Sequence, residues 1–124
     1  MSFLGDYLKE SRIMLLHYYS GLGILVSGAV HLILIFFLGS YKENISFDNG
    51  IFSVIAVYTN FAFALTLELL LIFVAFHAFN GLRVILIELH QGGRWEMSVN
   101  WALTAIATFL VVYGTRTVLL ARLI

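Results

Sequence analysis

Polar residues in this chain fall between three long apolar runs. The first run, from about Ile13 to Leu38, holds no Asp, Glu, Lys or Arg, and "GSYKENISFDNG" follows it as a turn-rich polar loop. A second run extends from near Ile51 to about Leu89, and a third from about Val99 to Leu120. Between them, "HQGGRWEMSVN" carries a Gly pair, a helix-ending signal. At ~1.5 Å per residue each run is long enough for a ~30 Å hydrocarbon core. The second is longer than required, so its last turns emerge from the membrane or the helix tilts. The pattern predicts an all-α fold: one integral-membrane domain over residues 1–124, a bundle of three transmembrane helices at 13–38, 51–89 and 99–120.

Composition supports lipid as the solvent. Of 124 residues, 61% are hydrophobic and 11% charged. A soluble domain of this length cannot bury that much apolar surface. Zero net charge gives no sign of nucleic-acid binding. The absence of Cys excludes disulfides, iron–sulfur ligation and covalent CxxCH haem attachment by this chain. The mixed-charge start, with Asp6, Lys9 and Glu10, does not read as a cleavable signal peptide. Lys9, Arg12 and Arg94 fall on the N-terminal side and Lys42 and Arg122 on the other, which favours a cytoplasmic N-terminus. Trp95, Trp101 and Tyr41 lie near span ends, where aromatic belts form.

Ionisable residues at membrane depth are costly and usually functional. On a 3.6-residue helix, His17, Ser20, Gly21, Ile24, Ser27, Gly28 and His31 share one face of the first span. That face is narrow and small, suited to a porphyrin lying on the helix or to a closely packed neighbour. His31 is either a metal ligand or a hydrogen-bonding group across a helix contact. In the second span, "FHAFNGLRVILIE" (76–88) puts His77, Asn80, Gly81, Val84 and Glu88 on a common face. Gly81 is expected to clear space beside His77; a snorkelling polar cluster is the alternative. His17 and Arg12 look like membrane–water interface residues. Glu68, mid-span, is expected to face another helix or to be protonated. Arg116 can snorkel outward, and His90 sits in a loop.

His31 and His77 do not suit one iron. His31 lies about seven residues, or ~10 Å, from the first loop, and His77 about twenty-five residues, or ~37 Å, into the second run. If both bind haem there are two haems at different depths, each needing a second axial ligand from outside the chain.

The stretch "FHAFNGLRVILIE" resembles the second-helix motif of the membrane anchors of succinate dehydrogenases and fumarate reductases. That motif is a haem-ligating His, Gly four on, an apolar residue, often Arg six on, and Asp eleven on. Here these are His77, Gly81, Leu82, Arg83 and Glu88. "LLHYYSGLGILVSG" is similar to the family's first-helix entry, usually L-H-R-x-[ST]-G. Glu88 replaces the usual Asp, Leu89 a frequent Tyr, Tyr18 a frequent Arg and Val84 a frequent His. The spacing from His17 to His31 also resembles two-haem members, in which the second histidine is a ligand.

The resemblance implies a membrane anchor that pairs with a second anchor subunit and works with an iron–sulfur and a flavoprotein subunit. It implies haem b, one or two, held through His77 and His31, with Arg83, Gly81 and Gly28 around it. Arg12, Arg83 or Tyr18 would pair with haem propionates. Glu88, His17, Arg12 and Ser20 are the implied quinone-site candidates, and electrons would pass from succinate to quinone or the reverse. Another small haem b carrier and a cofactor-free structural subunit, its histidines making interhelical hydrogen bonds, remain as alternatives.

Overall fold

The computed structural model describes residues 3–41, 60–121 and 123. It contains helix α1 (Phe3–Tyr41), helix α2 (Phe61–Leu89) and helix α3 (Gly93–Ala121). Each contains a stretch long and apolar enough to cross a membrane: Glu10–Phe37, Phe61–Leu89 and Gly93–Leu120. The all-α, three-helix membrane bundle expected from the hydropathy pattern is what the chain forms. The first loop, with Lys42, and Arg122 lie outside the described residues.

Local chemistry sets the helix ends. The second span was expected from near Ile51, but α2 starts at Phe61, and residues 51–59 lie outside those described. Asn60 is its N-cap: the backbone there is extended, and the side-chain oxygen accepts from Ala62 N at 3.0 Å. Apolar content alone does not mark that boundary. At the other end, α2 stops at Leu89, and Gly92 adopts φ +150°, a conformation that disfavours side chains. The chain re-enters helix at Gly93, six residues before the expected start at Val99, with Glu96 in the first turn of α3. The polar stretch "RWEMSV" is therefore helical: its charges lie on an exposed helix end rather than in a loop.

Helix α2 lies between the other two and packs on both, while α1 and α3 make no close backbone approach to each other among the described residues. Facing positions run backward along α2 as they advance along α1: Gly21 meets His77, Gly23 meets Phe73, Gly28 meets Leu70 and His31 meets Thr66. The two helices are therefore antiparallel. Gly23 permits the tightest approach on this seam, since a Cβ there would sit 2.8 Å from the Phe73 ring. On the other seam Gly114 does the same for Leu71, where a Cβ would lie 2.5 Å from the side chain. Small residues let backbones approach where the surrounding lipid supplies no hydrophobic drive for association.

The small-residue face of α1 is thus filled by α2. Among the described residues, buried apolar side chains are few: Phe63, Ala64, Ala75, Val99 and Leu103. Large apolar residues such as Leu25, Phe36, Phe76 and Trp101 are exposed, as a lipid-facing surface requires.

Candidate functional site

Two segments of matching form cross at the α1–α2 seam. "HYYSG" runs from His17 to Gly21 on α1, and "HAFNG" from His77 to Gly81 on α2. Each places a glycine one helical turn after a histidine, so the two lie on one face. Because the helices are antiparallel, each imidazole enters the notch left by the opposite glycine. A Cβ on Gly21 would lie 3.1 Å from His77 Cε1, and one on Gly81 would lie 3.5 Å from His17 Cε1. The rings stack face to face, with centroids 3.9 Å apart and planes 15° from parallel. Gly81 therefore makes room for His17, not for His77 as the sequence suggested; Gly21 makes the room for His77.

The hydrogen bonds around His77 assign its tautomer. Its Nδ1 lies 3.1 Å from the His17 carbonyl oxygen and 3.2 Å from Ser20 Oγ. Ser20 Oγ itself donates to the same carbonyl at 2.7 Å. A carbonyl oxygen only accepts, and the serine proton is already used, so Nδ1 of His77 carries the hydrogen and donates. Its Nε2 then holds the lone pair, and no hydrogen bond engages that atom among the described residues. Metal-ligating histidines characteristically donate their other ring N–H to a carbonyl or carboxylate. The donor set at His77 fits an axial imidazole.

His17 is inside the seam and half-buried, stacked on His77. Its Nδ1 is buried without a partner among the described residues. The stacked rings leave no space for a porphyrin between them, so His17 and His77 are not opposite ligands of one iron in this arrangement.

His31 occupies a different seat. Its Nδ1 is 3.1 Å from Thr66 Oγ1, and the Phe63 ring meets the imidazole edge-on with centroids 6.1 Å apart. Thr66 Oγ1 lies 3.1 Å from the Ala62 carbonyl and 3.0 Å from that of Phe63, to which its hydroxyl donates. The hydroxyl oxygen then accepts from His31 Nδ1, which again leaves Nε2 with the lone pair. His31 follows His17 by fourteen positions, or ~21 Å along α1. Starting α2 at Phe61 shortens the expected depth of His77 to about 16 residues, ~24 Å. The two seats remain far apart, and the inability of His31 and His77 to share an iron follows from the structure too.

The other sequence candidates are dispersed. Arg83 Nη1 and Nη2 donate to the two Glu10 carboxylate oxygens at 3.2 and 2.9 Å, and its Nε donates to Asn100 Oδ1 at 2.6 Å. One guanidinium thereby links all three helices. Glu88 is exposed and lines a groove of about 610 Å³ with Glu10, Arg83, Glu96 and Asn100. Arg12 and Tyr18 are exposed on α1. Ser20 is buried and its hydroxyl is committed to the His17 carbonyl and to His77. Gly28 has Leu70 at ordinary contact distance, 3.8 Å from an added Cβ. Of the quinone-site candidates, only His17 and Ser20 come together. Glu68 faces α3, accepting from Thr115 Oγ1 at 2.5 Å, while its Oε2 is buried without a described partner. Arg116 is exposed, and His90 is exposed against the Trp95 ring.

A family model described as succinate dehydrogenase/fumarate reductase transmembrane subunit matches residues 7–118. The chain belongs to this family. It is an integral membrane subunit, and membership implies association with other subunits of such a complex. No curated protein and no solved structure gives a match. The match to the transmembrane-subunit family spans both histidine seats and the Arg83 linkage. Sequence reasoning missed the role of Ser20 at His77 and the pairing of His17 with His77. The recurrence of His and Gly four apart in two neighbouring helices was the available signal.

Proposed function

We propose that this chain is a haem b-binding membrane anchor of a succinate:quinone oxidoreductase, paired with a second anchor and serving electron transfer between an iron–sulfur partner and quinone. The observation that carries this is the seating of His77: a backbone carbonyl and Ser20 hold Nδ1–H, which leaves Nε2 basic and unbonded. His31, held by Thr66, is the second ligand, at its own depth. Haem b, when bound, supplies one-electron redox chemistry at each seat. The chain's residues hold the imidazoles of His77 and His31 in fixed tautomers.

Quinone reduction consumes two electrons and two protons. Glu88, on the exposed end of α2, is placed to hold and deliver protons at the membrane surface, with Arg12 on the same end of the bundle. Ser20 orients His77 rather than quinone, because its hydroxyl is already committed. Arg83 is tied to Glu10 and Asn100, which favours a structural role over propionate binding. The N-terminus is cytoplasmic in this scheme, on the charge balance of Lys9, Arg12 and Arg94.

A second reading has its own support. His77 and His31 each bond across the α1–α2 seam, as histidines in a cofactor-free structural subunit would. The purified complex separates the two in a reduced-minus-oxidised spectrum: a b-type band lost in His77→Leu supports the anchor with haem, and no band in the native complex removes it. Co-purification with a flavoprotein and an iron–sulfur protein separates a succinate-linked complex from another haem b carrier.

A further inference from the structure

The two crossing segments are related by an approximate local two-fold axis. It exchanges His17 with His77, Gly21 with Gly81, and Ser20 with Asn80. Ser20 and Asn80 each immediately precede the glycine that receives the opposite imidazole. Both are buried, 4% and 8% exposed, and both are polar residues in an apolar setting. On one side of the axis the pair is complete: Ser20 meets Nδ1 of His77 at 3.2 Å. On the other side both members are left over. His17 Nδ1 and Asn80 Nδ2 are each buried without a partner among the described residues. A buried polar atom without a partner is destabilising, because it has lost water and gained nothing in return. The symmetry gives each of these atoms the other as its natural partner.

We propose that Asn80 is the positioning residue of His17. Its amide N–H donates to His17 Nδ1 through one bridging water, and so fixes the proton of His17 on Nε2. The two stacked imidazoles then have opposite character. His77 carries its hydrogen on Nδ1 and a lone pair on Nε2; His17 carries a lone pair on Nδ1 and a hydrogen on Nε2. An asymmetry between Ser20 and Asn80 in otherwise matching segments produces this difference. At His77 the backbone carbonyl can only accept, which forces Nδ1–H; at His17 the amide donates, which forces the reverse. The pair thus offers one metal-binding nitrogen and, beside it, one hydrogen-bond donor, a combination that suits a metal centre with an acceptor oxygen close by. The metal-binding half rests on the function proposed above; the tautomer of His17 does not.

Solid-state NMR of the reduced, imidazole-¹⁵N-labelled complex in native lipid tests this. His17 is assigned through the His17–Tyr18 peptide bond, since no other histidine precedes a tyrosine. The expected native spectrum has His17 with bare Nδ1 and protonated Nε2. In Asn80→Leu, which has similar volume and no donor, His17 loses the fixed pattern while His77 keeps its own. Asn80→Ser, which supplies the short hydroxyl found at Ser20 with its proton spent on the carbonyl one turn back, moves the His17 hydrogen to Nδ1, as at His77; a His17 pattern unchanged in Asn80→Ser also overturns the proposal. A native His17 protonated on Nδ1 overturns the proposal, as does an Asn80→Leu spectrum unchanged at His17. If Asn80→Leu does not assemble, the native spectrum and Asn80→Ser decide. A complex without a b-type band but with the expected His17 pattern would refute the haem assignment alone.

Discussion

The two histidine seats on the α1–α2 seam are held by different means. His77 is anchored to a main-chain carbonyl as well as to the Ser20 hydroxyl, and it lies in a glycine notch against a second imidazole. His31 is anchored to one side chain, the Thr66 hydroxyl, whose own proton is shared with the carbonyls behind it. A backbone acceptor cannot be removed by substitution, whereas a hydroxyl can. Orientation at His77 is therefore a property of the fold, and orientation at His31 is a property of one residue.

That difference is open to direct attack. The largest effect is expected from the ligands themselves: His77→Leu should abolish the haem at its seat, seen as loss of its redox transition in a potentiometric titration. His31→Leu should remove the other transition and leave the first. A native complex that titrates as a single haem would overturn the two-seat scheme. Next comes Thr66→Val, nearly isosteric and without a donor or acceptor. It should weaken cofactor retention at His31 by roughly 10–100-fold, the usual cost of losing the group that orients a metal-bound histidine. Ser20→Ala should do less at His77 than Thr66→Val does at His31, because the carbonyl bond remains; equal losses would erase the distinction between the seats.

Packing gives a smaller and independent contrast on the same seam. Gly23→Ala drives a methyl to 2.8 Å from the Phe73 ring, whereas Gly28→Ala meets Leu70 at 3.8 Å. The first should lower the stability of the helix pair by about 1–3 kcal/mol, the usual cost of overpacking, and the second should be close to neutral. Thermal unfolding of the complex in detergent reads both, and a Gly28→Ala loss as large as that of Gly23→Ala would argue against this register of α1 on α2.

The seams also differ in chemistry. Beside α1, α2 presents imidazoles to hydroxyls and carbonyls. Beside α3 it presents a carboxyl, Glu68, to Thr115, and a guanidinium, Arg83, to Asn100. His77, Glu68 and Arg83 of α2 thus each meet a specific group on a neighbour, which is how polar groups persist within a bilayer. The Glu10–Arg83 pair is partly exposed, so its ionic contribution is small; its Asn100 bond is the more sheltered part of the linkage.

The sequence by itself determined the number of helices, their membrane setting and the family resemblance. Those follow from the length of apolar runs and from a motif within one helix. It also separated His31 from His77, because depth accumulates along a helix at a fixed rise. The start of α2 was not legible in hydropathy: apolar residues continue upstream of Phe61, and the boundary is set by an Asn60 hydrogen bond. Nor was the meeting of His17 with His77, since they are sixty residues apart and only the antiparallel register brings them to one level. The identity of the notch glycines was reversed for the same reason. A glycine one turn from a histidine on its own helix lies beneath the next side chain along, and the space it clears is entered by the neighbouring helix. Which imidazole fills which notch, and so which nitrogen keeps its lone pair, was decided by the packing of α1 on α2.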